Sequence, residues 1–401
     1  MRNPFLIIVA GLTVWSSSGW SQFKAERKFI YPPAFKAGKP YSPGVLAGKT
    51  LYISGQVDKD PQTGAQPKGI AEQTRMAMAN MGHVLRAAGL DYGNVVSCHV
   101  QLADMTQYKE MNDVYGSYFG PDHYPARTTL EFPGLPGGAK IEISCIAYAD
   151  KSKIAIVTPP ADSIPPAMGP YRSGVWAGDT LYVSGSGGRK PKSGEIDSTI
   201  EGQTKQTMEN IGQILAAAGL THKDSAFANV YFLDPDQGKG PVYGQLNSIY
   251  KNYFALGTAP SRASFCVGKL PGTISVEFTF VATRDRKNKG RVVPDSAGPS
   301  PTSSNGGVLD GDTLYTSGKS GAGPTVEAQM RDSLDSIRNI LKLAGMDMTH
   351  VVDAHIYLKD AGQMDAMNKV FEEFFPHNPP ARTTVQVFQQ QLEQVQVVAV
   401  R

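Results

Sequence analysis

Three segments of the chain each place an arginine two residues after a proline, at the start of an apolar run. They read YPARTTLEF, APSRASFCV and PPARTTVQV, and the arginines are Arg127, Arg262 and Arg382. An acid stands 15 residues after each of the first two arginines: Glu142 after Arg127 and Glu277 after Arg262. A guanidinium binds a carboxylate through two parallel hydrogen bonds, and a glutamate can take a proton from water. The combination therefore suits a site that binds a small organic acid and directs water onto it.

The same residues also have an ordinary structural interpretation. If Arg127 and Glu142 lie on neighbouring strands, they form a cross-strand ion pair that contributes about 0.2–1 kcal/mol to stability. The threefold recurrence of the arrangement favours a site over such a pair. In the third segment we assign Gln396 to the position of the acid. A glutamine cannot accept a proton near neutral pH, so this copy departs from the pattern.

The elements that must position these residues recur in three copies. Each copy opens with a turn and a strand ending at Ser-Gly, in AGKTLYISG, AGDTLYVSG and DGDTLYTSG. A helix follows, with apolar residues three and four apart, and stops at Gly89, Gly219 or Gly345, where a left-handed residue is expected. A strand, a second helix, the arginine strand and a final strand follow. With a further strand before the opening turn, each unit is predicted to be β-β-α-β-α-β-β.

The repeats divide the 401 residues into domains of ordinary size, predicted at 22–151, 152–287 and 288–401. Hydrophobic residues make up 41% of the chain and charged residues 19%, as in globular proteins. A net charge of +3 over this length creates no field that would attract a polyanion, so nucleic acid is not expected as a partner. The basic run TRDRKNKGR at 283–291 lacks aromatic residues and is interpreted as a solvated linker.

The first residues have the pattern of a signal peptide. Met1-Arg2 precedes the apolar run FLIIVAGLTVW at 5–15, and small and polar residues follow in SSSGWSQ. We therefore predict a signal peptide at 1–21 and a secreted or periplasmic mature protein. The run is shorter than the roughly 20 residues that span a bilayer, so no membrane association is expected after cleavage.

Cysteine and histidine residues indicate neither a disulfide framework nor a metal site. Of the three cysteines, Cys98 and Cys145 share a unit and could pair, although small buried core residues are the commoner case, and Cys266 would remain single. His99 and His355 occupy equivalent positions, but the middle copy has Asn229 there. We expect no metal and no cofactor.

Taken together, these landmarks resemble those of the Rid (YjgF) family of reactive intermediate deaminases, formerly called endoribonuclease L-PSP. They are Ser-Gly, an asparagine in the second helix, an arginine after proline and a later acid, in one order and three times over. The resemblance covers essentially the whole chain after the predicted signal. It implies an α+β fold of three tandem chorismate-mutase-like units, and in the family such units form trimers with ligand clefts between them. We therefore expect an intramolecular pseudo-trimer that exists as a monomer.

The resemblance also assigns site residues by position. For catalysis it indicates an arginine, a tyrosine and a glutamate in each of the first two units: Arg127, Tyr41, Glu142, Arg262, Tyr171 and Glu277. For substrate binding it indicates Ser54, Gly55, Asn112, Ser184, Gly185, Asn247 and Arg382. A polar position on a helix surface is nearly as good an interpretation of the two asparagines. The third unit has Ser304 in place of the tyrosine, so we expect a degenerate site, and the number of intact clefts depends on which units share each cleft.

The activity implied by the resemblance is hydrolysis of reactive 2-imino acids, or the tautomeric enamines, to 2-keto acids and ammonia. The arginine would hold the carboxylate, the serine and glycine would join that site, and the glutamate would activate water. A binding protein for small carboxylates is the alternative, since the same arginine could hold a ligand without turnover. An endoribonuclease has less support, because no basic groove and no recurring histidine are evident.

Overall fold

The structure is a computed structural model that describes residues 26–285, 291–293 and 304–401; the predicted signal peptide lies outside these residues. It contains three mixed sheets of six strands, each with two long helices, so the fold is α+β as predicted. Each unit has one strand more than expected. The extra strand opens the unit and is only three or four residues long, too short for an alternating pattern to stand out in the sequence.

The three units have the same order of elements. Unit 1 contains β1 (Arg27–Ile30), β2 (Gly44–Ala47), β3 (Thr50–Val57), α1 (Ile70–Ala87), β4 (Val95–Leu102), α2 (Tyr108–Gly116), β5 (Ala126–Glu131) and β6 (Ile141–Tyr148). Unit 2 contains β7 (Ile154–Val157), β8 (Gly174–Ala177), β9 (Thr180–Gly187), α3 (Ile200–Ala217), β10 (Ser225–Phe232), α4 (Val242–Tyr250), β11 (Ser261–Cys266) and β12 (Val276–Thr283). Unit 3 contains β13 (Arg291–Val293), β14 (Gly307–Asp310), β15 (Thr313–Thr316), α5 (Val326–Leu343), β16 (Val351–Leu358), α6 (Met364–Phe374), β17 (Ala381–Gln386) and β18 (Glu393–Val400).

The strand order in unit 1 is β1-β2-β3-β6-β4-β5, and the other two sheets repeat it. The arginine strand β5 pairs with β4 in parallel and lies at the edge of its sheet. The acid strand β6 lies between β3 and β4. One strand therefore separates Arg127 from Glu142, and the interpretation of the two as a cross-strand ion pair is wrong.

The long helices pack their apolar faces on the sheets and end where the sequence predicts. Met81, Val84 and Leu85 of α1 are fully buried. Gly89, at the end of this helix, has a φ of 75°, and its counterparts Gly219 and Gly345 have 73° and 72°. These left-handed residues confirm the predicted helix ends, because glycine adopts a positive φ without steric cost.

The Ser-Gly pair is not the end of its strand in the first two units. β3 continues to Val57, and its pairing with β6 shifts between Ile53 and Gln56, which places Ser54 and Gly55 in a bulge. In unit 3 the strand does end there, because β15 stops at Thr316. The bulge turns the Ser-Gly segment toward the neighbouring unit.

Cys98 and Cys145 form a disulfide between β4 and β6, where they are directly opposite each other. The sequence left this pairing open and favoured unpaired core residues, which is wrong for these two. Strands 47 residues apart in sequence become neighbours only through the sheet order. Cys266 is free and buried.

The three units contact one another in a closed ring. Isolated β-bridges connect Glu131 to Lys269, Cys266 to Phe388 and Gln386 to Gly134. The last residue of each arginine strand therefore contacts the next unit. One apolar core cluster contains buried residues of all three units. Within the described ranges, no helix has the length and apolar character needed to cross a membrane.

A ring closed within one chain leaves no arginine edge for a second chain. We expect the protein in solution to have the mass of one chain, because the tether keeps each partner surface at roughly millimolar effective concentration. Light scattering coupled to size exclusion measures this mass directly. A stable species of three chains would contradict the prediction.

Candidate active site

Each arginine strand contacts the Ser-Gly pair of the next unit. The backbone N–H of Arg127 donates to Ser184 Oγ of unit 2 at 2.8 Å. In the same way Arg262 donates to Ser317 of unit 3, and Arg382 to Ser54 of unit 1, both at 2.8 Å. The three arginines therefore lie at interfaces between units, where the resemblance placed the ligand clefts.

Three clefts result, each named here by the units that form it. The first cleft joins units 1 and 2 and contains Arg127, Tyr108 and Asn112 with Tyr171, Ser184, Gly185 and Glu277. The second joins units 2 and 3 and contains Arg262, Tyr243 and Asn247 with Ser304, Ser317, Gly318 and Gln394. The third joins units 3 and 1 and contains Arg382 and Asn368 with Tyr41, Ser54, Gly55 and Glu142. Each cleft therefore takes its arginine from one unit and its tyrosine and acid positions from the next, a division that the sequence left open.

In the first cleft the arginine is buried and held by aromatic side chains. Arg127 is 3% exposed, and its Nη2 donates to the Tyr108 hydroxyl at 3.3 Å. Its Cζ lies 4.8 Å from the ring centre of Tyr115 and 5.4 Å from that of Tyr171. Its Nη1 is buried and has no hydrogen-bond partner among the described residues. A buried guanidinium with an unused donor favours a carboxylate ligand.

The acid of the first cleft comes from the other unit. Glu277 is 4% exposed, and its Oε1 accepts a hydrogen bond from Thr128 Oγ1 at 2.5 Å. Burial raises the pKa of Glu277 to about 7, against the lowering effects of Thr128 and of the Arg127 charge. A carboxyl group that titrates near neutral pH can both take and return a proton. The cleft cavity, about 80 Å³, has room for roughly five to eight water-sized positions, enough for a small acid.

The third cleft has the same charged groups. Arg382 is 7% exposed, and its Cζ lies 5.0 Å from the Tyr41 ring centre and 5.1 Å from that of Phe371. Burial raises the pKa of Glu142 to about 8, opposed by the Arg382 charge. Glu142 Oε2 is buried without a hydrogen-bond partner in the described ranges. This cleft is therefore intact, although its arginine belongs to the unit predicted to be degenerate.

The second cleft has lost the acid, and the sequence assignment of the replacement requires correction. Gln394, not Gln396, stands at the acid's position: it opposes Tyr357 as Glu142 opposes Gln101, and it contacts Gly318. The hairpin before it is three residues shorter than in the other units, so the acid position lies 12 residues after Arg382 and not close to 15. Gln396 faces His355 instead.

Two further changes occur at the second cleft. Ser304 is at the tyrosine position. The backbone N–H of the next residue, Asn305, donates to the Pro260 carbonyl, just as the N–H of Arg172, which follows Tyr171, donates to the Pro125 carbonyl. Ala263 replaces the threonine next to the arginine, which is Thr128 in the first cleft. Tyrosine, threonine and acid are thus lost together. Arg262 remains, held by the Tyr243 hydroxyl at 2.6 Å and Asn247 Oδ1 at 3.0 Å.

The predicted serines and glycines position the clefts and do not bind a carboxylate through the hydroxyl. Ser54 Oγ donates its one proton to the Ser42 carbonyl and accepts the Arg382 N–H. It therefore has no donor left for a ligand. A Cβ at Gly55 or Gly185 would overlap the carboxylate of Glu142 or Glu277, so these positions require glycine for close approach.

The asparagines belong to the arginine side of each cleft. Asn247 accepts directly from Arg262, and the oxygens of Asn112 and Asn368 are buried without a partner in the part of the chain that the structure describes. Sequence reasoning missed Tyr108 and Tyr243, one helical turn before Asn112 and Asn247, although a four-residue spacing in a helix would have indicated them. Tyr115 of the same helix, which is buried in the core, also contacts Arg127.

The raised pKa values of the buried glutamates predict a pH-dependent stability. Glu142 and Glu277 have pKa values of about 8 and 7 in the folded protein, and unfolded glutamate titrates near about 4.3. Between these values the folded state holds protons that the unfolded chain has lost, so stability falls as pH rises from about 4.5 to 8. Glu142→Gln with Glu277→Gln removes this contribution. Urea unfolding at pH 5 to 8 should show a steeper decline for wild type than for the double variant; parallel curves would contradict it.

Comparisons with known proteins agree with this architecture. A family model described as Endoribonuclease L-PSP matches residues 32–149, 162–284 and 299–398. A Bos taurus protein named 2-iminobutanoate/2-iminopropanoate deaminase is 45% identical over 109 residues, which are 27% of this chain and 79% of that protein. A Homo sapiens protein of the same name is 43% identical with the same coverage.

Solved structures also match one unit at a time. A putative endoribonuclease from Thermotoga maritima is 37% identical, covers 31% of this chain and 98% of its own, and has a TM-score of 0.30. The structure of E. coli TdcF with bound serine is 33% identical, covers 31% and 99%, and has a TM-score of 0.29.

Proposed function

We propose, because the chain belongs to the endoribonuclease L-PSP family, that it is an exported deaminase that hydrolyses 2-imino acids to 2-keto acids and ammonia. We assign this activity to the first and third clefts. The observation that carries the proposal is the pairing of a buried arginine with a buried glutamate across each of these interfaces, Arg127 with Glu277 and Arg382 with Glu142. The deaminase names of the bovine and human relatives support it.

The reaction needs a group that binds the substrate carboxylate. In the first cleft Arg127 supplies the guanidinium, and Asn112 lies beside it, since both approach Gly169 of the next unit. Tyr108 and Tyr115 fix the guanidinium by a hydrogen bond and a ring contact. The carboxylate is thereby anchored with its C=N carbon turned toward the interior of the cleft, where Glu277 lies.

The glutamate then activates the water. In its ionised form Glu277 accepts a proton as water adds to the C=N carbon, which gives a carbinolamine. Glu277 passes this proton to the imine nitrogen. It then takes the proton of the new hydroxyl and transfers it to the same nitrogen as the C–N bond breaks, so ammonia leaves and the C=O bond forms. One water is consumed and no oxidant or reductant is needed. Tyr171, whose ring lies over Arg127, also lines the cavity.

Export is part of the proposal and rests on the N-terminal sequence, which has a charged start, an apolar run and small residues. The disulfide between Cys98 and Cys145 supports an oxidising compartment, because such bonds persist mainly in exported proteins. Mass spectrometry of the protein recovered from the producing cells tests this. A periplasmic or secreted chain that begins near residue 22 is expected, and a cytoplasmic chain with Met1 intact would contradict it.

The test of activity is the release of ammonia from 2-iminopropanoate generated in situ, above its spontaneous hydrolysis. We expect kcat/KM to rise with pH, because the glutamate must be ionised to accept a proton. In Arg382→Gln only the first cleft remains active, so the pH profile of kcat/KM should have its midpoint at about 7. In Arg127→Gln only the third cleft remains active, and the midpoint should lie at about 8. No acceleration at any pH, or identical profiles for the two variants, would contradict the assignment.

The nuclease description of the family model supplies the competing activity. The first cleft's cavity of about 80 Å³ is far too small for a stacked oligonucleotide. Incubation with single-stranded RNA under the same conditions separates the two activities, and RNA cleavage that survives loss of Arg127 and Arg382 would show that these clefts are not its site.

A further inference from the structure

The second cleft differs from the other two in its walls as well as in its residues. The first long helix begins 16 residues after the serine of the Ser-Gly pair in units 1 and 2, but nine residues after it in unit 3. The hairpin between the arginine and acid strands has nine residues in units 1 and 2 but six in unit 3. In the first cleft these two segments contribute Arg189, Pro271 and Ile274 to the cavity wall. The second cleft therefore has two shortened walls.

The shortening leaves a wide opening. A cavity of about 850 Å³ lies at the second cleft, compared with about 80 Å³ at the first. Tyr243 and Gln394, the counterparts of Tyr108 and Glu277, line it. Arg262 is not among the residues that line the cavity, but it donates to the hydroxyl of Tyr243, which does line it, at 2.6 Å. The arginine to which we assign carboxylate binding in the other clefts is thus retained here, one side chain away from a much larger space.

Apart from Glu201, the described residues that line this cavity are uncharged, and many of them carry hydrogen-bonding groups. Gln389, Gln390 and Gln391 of the shortened hairpin present amides that both donate and accept, as peptide groups do. Buried Gln394 Oε1 and Ser264 Oγ have no hydrogen-bond partner among the described residues, so a ligand donor could satisfy them. Aromatic side chains supply apolar surface.

We propose that the second cleft is a non-catalytic binding site for N-acylated 2-amino acids, of which a peptide C-terminus is the extended case. Arg262 binds the terminal carboxylate, and the acyl or peptide chain leads past Tyr243 into the amide-lined cavity. No hydrolysis occurs there, because Gln394 cannot take a proton from water. No residue of the first or third cleft takes part, so this binding is separate from the deaminase activity.

Titration calorimetry with N-acetylglycylalanine tests the proposal. We expect one equivalent to bind per chain, and its C-terminal amide to bind about tenfold or more weakly, because the charged contact to the guanidinium is lost. Arg262→Gln should weaken binding by a similar factor, whereas the double variant Arg127→Gln, Arg382→Gln should bind as wild type does. Gln394→Glu, which adds a negative charge and leaves Arg262 intact, should also weaken binding.

Several results would overturn the proposal. They are binding that survives Arg262→Gln but is lost in the double variant, equal affinity for the acid and its amide, and no detectable binding at millimolar ligand. A polyhydroxylated acid such as gluconate that binds more tightly than the dipeptide would refute the ligand class. Circular dichroism melts of each variant establish that lost binding is not lost folding, and Gln394→Glu provides the second route if Arg262→Gln does not fold.

Discussion

Replacing Arg127 and Arg382 together with glutamine is expected to lower kcat/KM for 2-iminopropanoate about 100-fold or more, whereas Arg262→Gln leaves it near the wild-type value. The charged hydrogen bonds from a guanidinium to a substrate carboxylate account for a loss of this size. Arg127 and Arg382 each face a glutamate across their interface, but Arg262 faces Gln394. Ammonia release from imine generated in situ measures the effect.

Arg262→Gln is a matched control for this experiment. The three arginines are buried to a similar degree, with 3%, 6% and 7% exposure, and each donates its backbone N–H to a serine of the next unit. Any loss of folding should therefore affect all three variants alike, and thermal melts will show it. The single variants Arg127→Gln and Arg382→Gln should each retain the activity of the other cleft. If Arg262→Gln lost as much activity as the double variant, the assignment of clefts would be wrong.

Replacing Glu142 and Glu277 together with glutamine should lower turnover by about 10²–10⁴-fold and preserve binding of a stable 2-keto acid. Glutamine keeps the shape of the side chain but cannot take a proton, so the arginine still anchors the ligand while water is no longer activated. The double variant places a glutamine at the acid position of the first and third clefts, as Gln394 stands at that position in the second. Turnover is measured by ammonia release and binding by calorimetry with pyruvate.

Glu393→Gln provides the control for a buried glutamate outside the clefts. Glu393 is buried on β18, where it accepts hydrogen bonds from Ser333 Oγ and the Gly321 N–H, and burial raises its pKa to about 7. Its replacement should change stability but leave turnover per folded molecule unchanged. Undiminished ammonia release by the Glu142→Gln, Glu277→Gln protein would show that neither carboxylate serves the water.

The fold and the kinds of site residue could be predicted from the sequence because they depend on local patterns. Apolar residues three and four apart indicate a helix whatever its partner, and Gly89, Gly219 and Gly345 mark its end through a backbone preference of glycine alone. Arg127, Glu277 and Tyr171 were found because they recur in order. Tyr108 was missed because tyrosine in an apolar helix has the composition of core packing.

The sequence alone thus determined three units, their elements and a set of arginines, tyrosines and acids. Only the tertiary structure decided which of them meet. The parallel pairing of β4 and β5 leaves the arginine at a sheet edge, and that edge packs against the next unit, so Arg127 joins Glu277 and not Glu142. Both losses in unit 3, Ser304 and Gln394, therefore fall in one cleft, and two complete sets remain. Spacing along a chain cannot reveal this, because the partner of an edge strand is set by packing between units and not by distance in sequence.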